Sequence, residues 1–242
     1  MIKLITFDLW NTVVSGKNSK RHFQYRVERI KDIAARYSTV ISDEKVEKGL
    51  DAAWSYFMEE WDKRVYTPTA RAMMNVFFKS AEIEPSPELL ENLSYFMEDS
   101  LLDMDNSPVD GVDDLIEELN DKYILAIVSD TGYTPGRNLR ILLKHIGLFR
   151  YFSFFAFSDE IGVSKPDRRI FEYVLNYAGI MPDESLHIGD LLRTDIEGAN
   201  NSGMKSVHFH RENFHKEENH SAIPSYKTDN ASEIYDFVSS LH

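Results

Sequence analysis

Five short apolar runs, Ile2 to Phe7, Ile124 to Ser129, Phe154 to Phe157, Leu186 to Ile188 and Ser206 to Phe209, constrain this chain more than any other feature. Each is rich in β-branched or aromatic residues, is too short for a typical helix, and is followed by polar or turn-forming residues. Stretches with helical spacing lie between and around them. Val112, Leu115, Ile116 and Leu119 precede the second run, and Pro135 to His145 follows it and stops near Gly147. Asp167 is placed to cap a helix carrying Ile170, Phe171, Val174, Leu175 and Ala178 that ends at Gly179, and Thr194 to Ser202 closes at Gly203. Asn230 and Glu233 have the spacing of a capping box for a last helix with Ile234, Phe237, Val238 and Leu241. Strands alternating with helices predict an α/β architecture, a parallel, doubly wound, Rossmann-like sheet.

The stretch from Lys20 to Leu102 departs from that rhythm. It reads as about four helices, with turn signals at Ser42-Asp43, Thr67-Pro68 and Pro85-Ser86-Pro87, where Ser86 suits an N-cap and Pro87 a first helical position. The expectation is a core domain from residues 1–15 and 109–242 with a helical cap domain, 16–108, inserted after the first strand. Trp54, Tyr56, Phe57, Met58 and Trp61, and Met73, Met74, Phe77 and Phe78, recur at helical spacing and read as packing within that insert. His22, Arg64 and Arg71 read as solvated helix surface.

Composition narrows the function. The 242 residues contain no cysteine, which removes disulfides, thiolate metal sites and cysteine nucleophiles, and fits a reducing interior. No apolar run approaches the roughly 20 residues that cross a bilayer, and Asp8 interrupts the start before a signal-peptide core could form. The reading is a cytoplasmic protein with no membrane partner. A net charge of −13 without a Lys/Arg-rich run repels polyanions, so nucleic acid is not an expected partner. A small phosphorylated metabolite carried in with a metal is compatible. His210, His215 and His220 are spaced five apart, which does not bring them to one helical face, so the segment reads as a solvated loop. Composition gives no oligomeric state.

Ligands of parallel α/β sheets collect at the carboxyl ends of the strands. Four such ends are loaded here: Asp8; Ser129-Asp130-Thr131-Gly132; Lys165-Pro166; and Gly189-Asp190 with Asp195 beyond. Each alone is ordinary turn or cap chemistry. All four in order are much harder to explain that way. Phe7-Asp8-Leu9-Trp10-Asn11-Thr12, Val128-Ser129-Asp130, Ser164-Lys165-Pro166 and Gly189-Asp190 with Asp195 resemble the four motifs of the haloacid dehalogenase superfamily. The resemblance spans nearly the whole chain, and the helical insert resembles that family's cap.

A carboxylate at Asp8 could attack phosphorus and form an aspartyl-phosphate, dividing hydrolysis into two easier steps. Asp8 and Asp190 could hold Mg2+, with the Trp10 backbone carbonyl as the further ligand the resemblance implies and Asp195 orienting metal-bound water. Lys165 would balance the charge of Asp8 and the phosphoryl oxygens. Ser129 and backbone N–H groups nearby would bind those oxygens, with Trp10, Asn11, Thr12, Asp130 and Thr131 lining the substrate.

One departure bears on activity. Phosphatases of this superfamily usually carry a second Asp, the general acid and base, where this chain has Trp10, and an indole N–H cannot exchange a proton near neutral pH. Asn11 stands where the family usually has Gly, and Asn tolerates positive φ best after Gly. Three readings stay open. The leading one is a Mg-dependent phosphohydrolase, in which Asp130 could replace the acid or the leaving group needs no proton. A dehalogenase-like enzyme would suit an aromatic residue at Trp10 but not the carboxylates Asp190 and Asp195. A binding or regulatory protein with slow or no turnover is the third.

Overall fold

Six strands, Leu4–Phe7 (β1), Ile124–Ser129 (β2), Phe154–Phe157 (β3), Ser185–Gly189 (β4), Lys205–Phe209 (β5) and Tyr226–Thr228 (β6), form one sheet in the order β3-β2-β1-β4-β5-β6. Every neighbouring pair is parallel, as the strand–helix alternation requires. The structure is a computed structural model that describes residues 1–210 and 220–241. His215 lies outside the described residues.

The helices are Ser19–Arg36 (α1), Asp43–Arg64 (α2), Ala70–Ala81 (α3), Pro87–Asp99 (α4), Val112–Asn120 (α5), Gly136–His145 (α6), Ser158–Ile161 (α7), Arg168–Ala178 (α8), Glu197–Asn201 (α9) and Ala231–Ser240 (α10). None of those described is long and apolar enough to cross a membrane. The chain forms two compact units. The first contains the sheet and takes in Met1–Gly16, Asn106–Asp130 and the chain from Leu143 onward; the second is Lys17–Asp105 with Thr131–Leu142.

In the sheet unit, pleating sorts the side chains by face. Leu4, Ala126, Val128 and Ala156 pack with Ile170, Phe171, Val174 and Leu175 of α8 and with Ala199 of α9. Phe7 points the other way, edge-on to Phe152 at 6.0 Å. After β1 the chain moves out through β2 and β3, then returns to β4 on the opposite side, so β1 sits where the winding reverses. The register pairs Phe7 with Ile127 and with Ile188, so Asp8 leaves its strand level with Val128 and Gly189. That alignment brings three loaded strand ends to one crevice.

The helical unit packs α1 to α4 around Met73, Met74, Phe77, Phe78, Leu89 and Leu93. Ser42, Thr69 and Ser86 cap α2, α3 and α4, each accepting from the backbone N–H three residues on. Gly49 is required by packing rather than by backbone angle, because a Cβ there would lie 2.5 Å from a Phe77 ring carbon. Of the α2 stripe, Phe57 is in the core and Trp61 packs partly against it, whereas Trp54 and Met58 are exposed.

Three local expectations change. Asn230 caps α10 through Ser232 N–H, but Glu233 does not close a capping box. Its carboxylate instead accepts from Thr228 Oγ1 and Tyr226 Oη of β6, and the Asn230 N–H goes to Thr228 Oγ1. β6 itself was not anticipated, since Tyr-Lys-Thr makes no apolar run. The helix expected from Thr194 begins earlier, as a π-helical turn over Leu192–Ile196 that leads into α9.

Candidate active site

Asp8 extends β1 at the centre of the sheet, and its N–H donates to Ile188 O at 2.9 Å. The next turn requires a left-handed residue, and Asn11 supplies it at φ 57°. The Asn11 side chain also hydrogen-bonds Asp190 and steadies that carboxylate in its charged form. Trp10 is half-buried and bridges to Val14 through its backbone. Thr12 is buried, and its hydroxyl has no hydrogen-bond partner among the described residues.

Lys165 holds the site together. Its Nζ donates to Asp8 Oδ1 and to Asp195 Oδ1, each at 2.5 Å, and all three side chains are buried. Its backbone N–H donates to Asp130 Oδ1 at 2.9 Å, so Asp130 positions the lysine from behind. Asp8 Oδ2 accepts no hydrogen bond from the described residues.

Both oxygens of Asp195 accept hydrogen bonds. Oδ1 takes Lys165 and His187 Nε2 at 3.3 Å, and Oδ2 takes Leu191 N–H at 2.9 Å. The π-helical turn folds the carboxylate back over β4, where any side chain at Gly189 would overlap it. His187 is fully buried, and both ring nitrogens have partners. Thr6 Oγ1 lies 2.8 Å from its Nδ1, and burial lowers its pKa, so the neutral ring accepts from Thr6 and donates to Asp195. Thr6, His187, Asp195, Lys165 and Asp8 thus form one buried chain of hydrogen bonds. The sequence singles out Asp8, Lys165 and Asp195 but not the Thr6–His187 arm, because a histidine inside an apolar strand carries no local mark of its partner.

The charge balance is uneven. Burial is the first cause that raises Asp8 from an ordinary 3.8 to about 7; Lys165 opposes it, and Asp195 and Asp130 add to it. Asp190 is also raised, first by burial and then by Asp8 and Asp195. Asp195 goes the other way, because Lys165 and His187 outweigh its burial. Burial works against the charge on Lys165, but Asp195 and Asp8 overcome it and hold the ammonium firmly protonated. Oxygens of Asp8, Asp190 and Asp195 lie within 4.8 Å of one another, with one ammonium between them. An all-oxygen, over-charged donor set of this kind fits a hard divalent cation.

Ser129 ends β2, buried, with its hydroxyl donating to Asp130 O at 3.2 Å. Thr131 belongs to the helical unit. His208 Nε2 hydrogen-bonds the Asp190 carbonyl at 3.0 Å and fixes the backbone on the far side of the acidic group. The sheet therefore brings Asp8, Lys165, Asp190 and Asp195 together with Asn11 and Asp130.

This constellation at the carboxyl edge of a doubly wound sheet defines a hydrolase class. A model of the haloacid dehalogenase-like hydrolases matches residues 2–203, and the chain belongs to that family. Among curated relatives, the glyceraldehyde 3-phosphate phosphatase of Methanopyrus kandleri is 35% identical over 101 residues, 41% of this chain and 43% of that protein. The pyrimidine 5′-nucleotidase YjjG of Escherichia coli is 30% identical over 138 residues, 56% of this chain and 54% of that protein. The matched stretches thus span about half of each of these relatives or less. Among solved structures, a phosphatase of this family from Thermococcus onnurineus superposes with a TM-score of 0.67 at 21% identity, covering 98% of both chains. A 2-haloacid dehalogenase from Pseudomonas syringae superposes at 0.71 with 20% identity over 100% of both, which shows a shared fold.

Proposed function

We propose that this protein is a Mg2+-dependent phosphohydrolase acting on a small phosphorylated metabolite of the cytoplasm, with Asp8 as nucleophile and the helical unit as its cap. The observation that carries the reading is Lys165 Nζ shared between Asp8 and Asp195, with Asp190 completing an acidic group that one lysine cannot neutralise. Asp8 Oδ2 forms the bond to phosphorus as the bond to the leaving oxygen breaks. Water then attacks the aspartyl-phosphate, releases phosphate and restores the carboxylate. Lys165 balances charge on Asp8 and the phosphoryl oxygens, and the Ser129 hydroxyl can turn to those oxygens. Asp8 and Asp190, with the Trp10 carbonyl, would hold Mg2+, whose charge would offset their repulsion and that of the phosphoryl group. Phosphatase and nucleotidase relatives support phosphorus over halide as the target.

Trp10 favours substrates whose leaving group needs no proton, such as acyl phosphates. The test is phosphate release from acetyl phosphate and a panel of small phosphomonoesters, with Mg2+ or with EDTA. Acetyl phosphate is turned over with Mg2+, and Asp8→Asn brings the rate to background. Trp10→Asp raises phosphomonoester turnover by ~10²–10⁴-fold, the usual worth of general acid–base help. Halide release from 2-haloacids without metal would overturn the proposal, as would Mg2+ binding with no phosphate release from any compound.

A further inference from the structure

In the helical unit Arg26 is an unusual arginine. Arg21, Arg29, Arg64 and Arg137 of the same unit all pair with carboxylates: Asp105, Asp32, Glu60 and Glu98. Arg21, Arg64 and Arg137 have well-exposed side chains, and Arg29 is half-buried. Arg26 is half-buried, and its Nε donates to Ser100 Oγ at 3.0 Å, but no carboxylate pairs with it among the described residues. Its guanidinium carbon lies 5.5 Å from the centre of the Tyr133 ring. Burial lowers its pKa, and the Tyr133 hydroxyl is the opposing influence.

Tyr133 is 5% exposed, and its hydroxyl has no hydrogen-bond partner among the described residues. One helical turn before Arg26, His22 has a buried Nε2 that also lacks one. The charged groups acting on these residues are Arg26 and Asp51 on Tyr133, and Arg26, Arg21 and Asp105 on His22. A desolvated cation without a counter-ion is unfavourable, and so is a buried hydroxyl without a partner. A cation–π contact offsets part of the first and none of the second. The two Nη groups of Arg26, which have no partner among the described residues, form a fork that donates to two oxygens of a carboxylate or phosphoryl group, and a phenol hydroxyl is a further donor.

We infer that Arg26 and Tyr133 form a binding site for a small oxyanion, a carboxylate or phosphoryl group of a metabolite, with His22 at its margin. The site lies wholly in the helical unit and does not depend on hydrolysis at Asp8, so it can be read without turnover. The alternative is that Arg26 stacked on Tyr133 is only a packing strut.

The experiment uses the full chain, 15N-labelled, in EDTA at constant ionic strength. Sodium phosphate and sodium acetate are titrated separately against sodium chloride while the Arg26 Nε–H resonance is followed. The site gives a saturable shift with phosphate, acetate or both, and none with chloride. The pattern between the two oxyanions identifies the group bound. Tyr133→Phe keeps the ring and removes only the hydroxyl, and it weakens binding about tenfold, the loss expected for one hydrogen bond to a charged partner. Arg26→Met, checked for folding by circular dichroism, loses the anion-induced rise in Tm that the wild type shows. A shift that never saturates, or equal binding by wild type and Tyr133→Phe, would overturn the assignment and leave the strut.

Discussion

The two units bury different things. The sheet unit sequesters Asp8, Lys165, His187 and Asp195, each at 5% exposure or less. The helical unit fills its centre with Met73, Met74, Phe77, Phe78, Leu89 and Leu93. Register places the first group, and close packing holds the second. Burial of charge is costly and depends on what neutralises it, whereas burial of apolar surface does not. A divalent cation should therefore change the behaviour of the sheet site and leave that of the helical core alone.

Paired substitutions test that contrast where the effect is largest. Lys165→Met removes the one ammonium among three carboxylates and should destabilise the metal-free protein by roughly 3–5 kcal/mol, the cost of breaking a buried ion pair. Phe77→Ala should cost a similar ~3–5 kcal/mol by leaving a cavity. In urea unfolding, Mg2+ recovers part of the first loss and none of the second. Equal recovery, or none in either, would break the contrast. Gly49→Ala comes next. Overpacking against Phe77 costs about 1–3 kcal/mol, against a gain of about 1 kcal/mol from better helix propensity, so unfolding should show a net loss of up to ~2 kcal/mol. Asp190→Asn should go the other way. It relieves repulsion, so Tm rises in EDTA, and the further rise normally given by Mg2+ shrinks or disappears.

The sequence is most legible where the controlling interaction is local. Strand runs announce themselves by composition, and a polar residue at a parallel strand's end is placed by the strand itself, so Asp8, Ser129 and Asp190 could be placed without coordinates, whereas Lys165, beyond α7, was picked out by the motif resemblance. Asn11 was legible for the same reason, since its φ of 57° follows from the turn it occupies. What was not legible depends on distant partners. The inward turn of Asp195 requires Gly189 below it and His187 beside it. Tyr133 follows a strand in sequence yet packs in the core of the helical unit, which no periodicity signals. Arg26 on an amphipathic helix looks like any surface arginine until its lack of a carboxylate partner among the described residues is seen. β6 is fixed by pairing with β5 rather than by its own residues.

The smallest effect is also the most specific to the charge imbalance. Asp8 has a folded pKa of about 7 against an ordinary 3.8, so the folded state keeps a proton that the unfolded chain gives up. Its contribution to stability is fully present below the lower value and is lost as pH rises through the higher one. Asp190 has the same sign. Asp195, with a lowered pKa, has the opposite sign: its contribution is present above its ordinary value and is lost only in acid. Between about pH 4 and 7 the first two dominate, and the metal-free protein should lose stability as pH rises. Mg2+ needs the same carboxylates ionised, so it competes with protons below that window and relieves the repulsion above it. The rise in Tm on adding Mg2+ should therefore be slight at pH 5 and grow to pH 8. Asp8→Asn, which carries no proton to lose, flattens that dependence. A Mg2+ effect that is equal across the range would mean that Asp8 does not share its proton with the cation site.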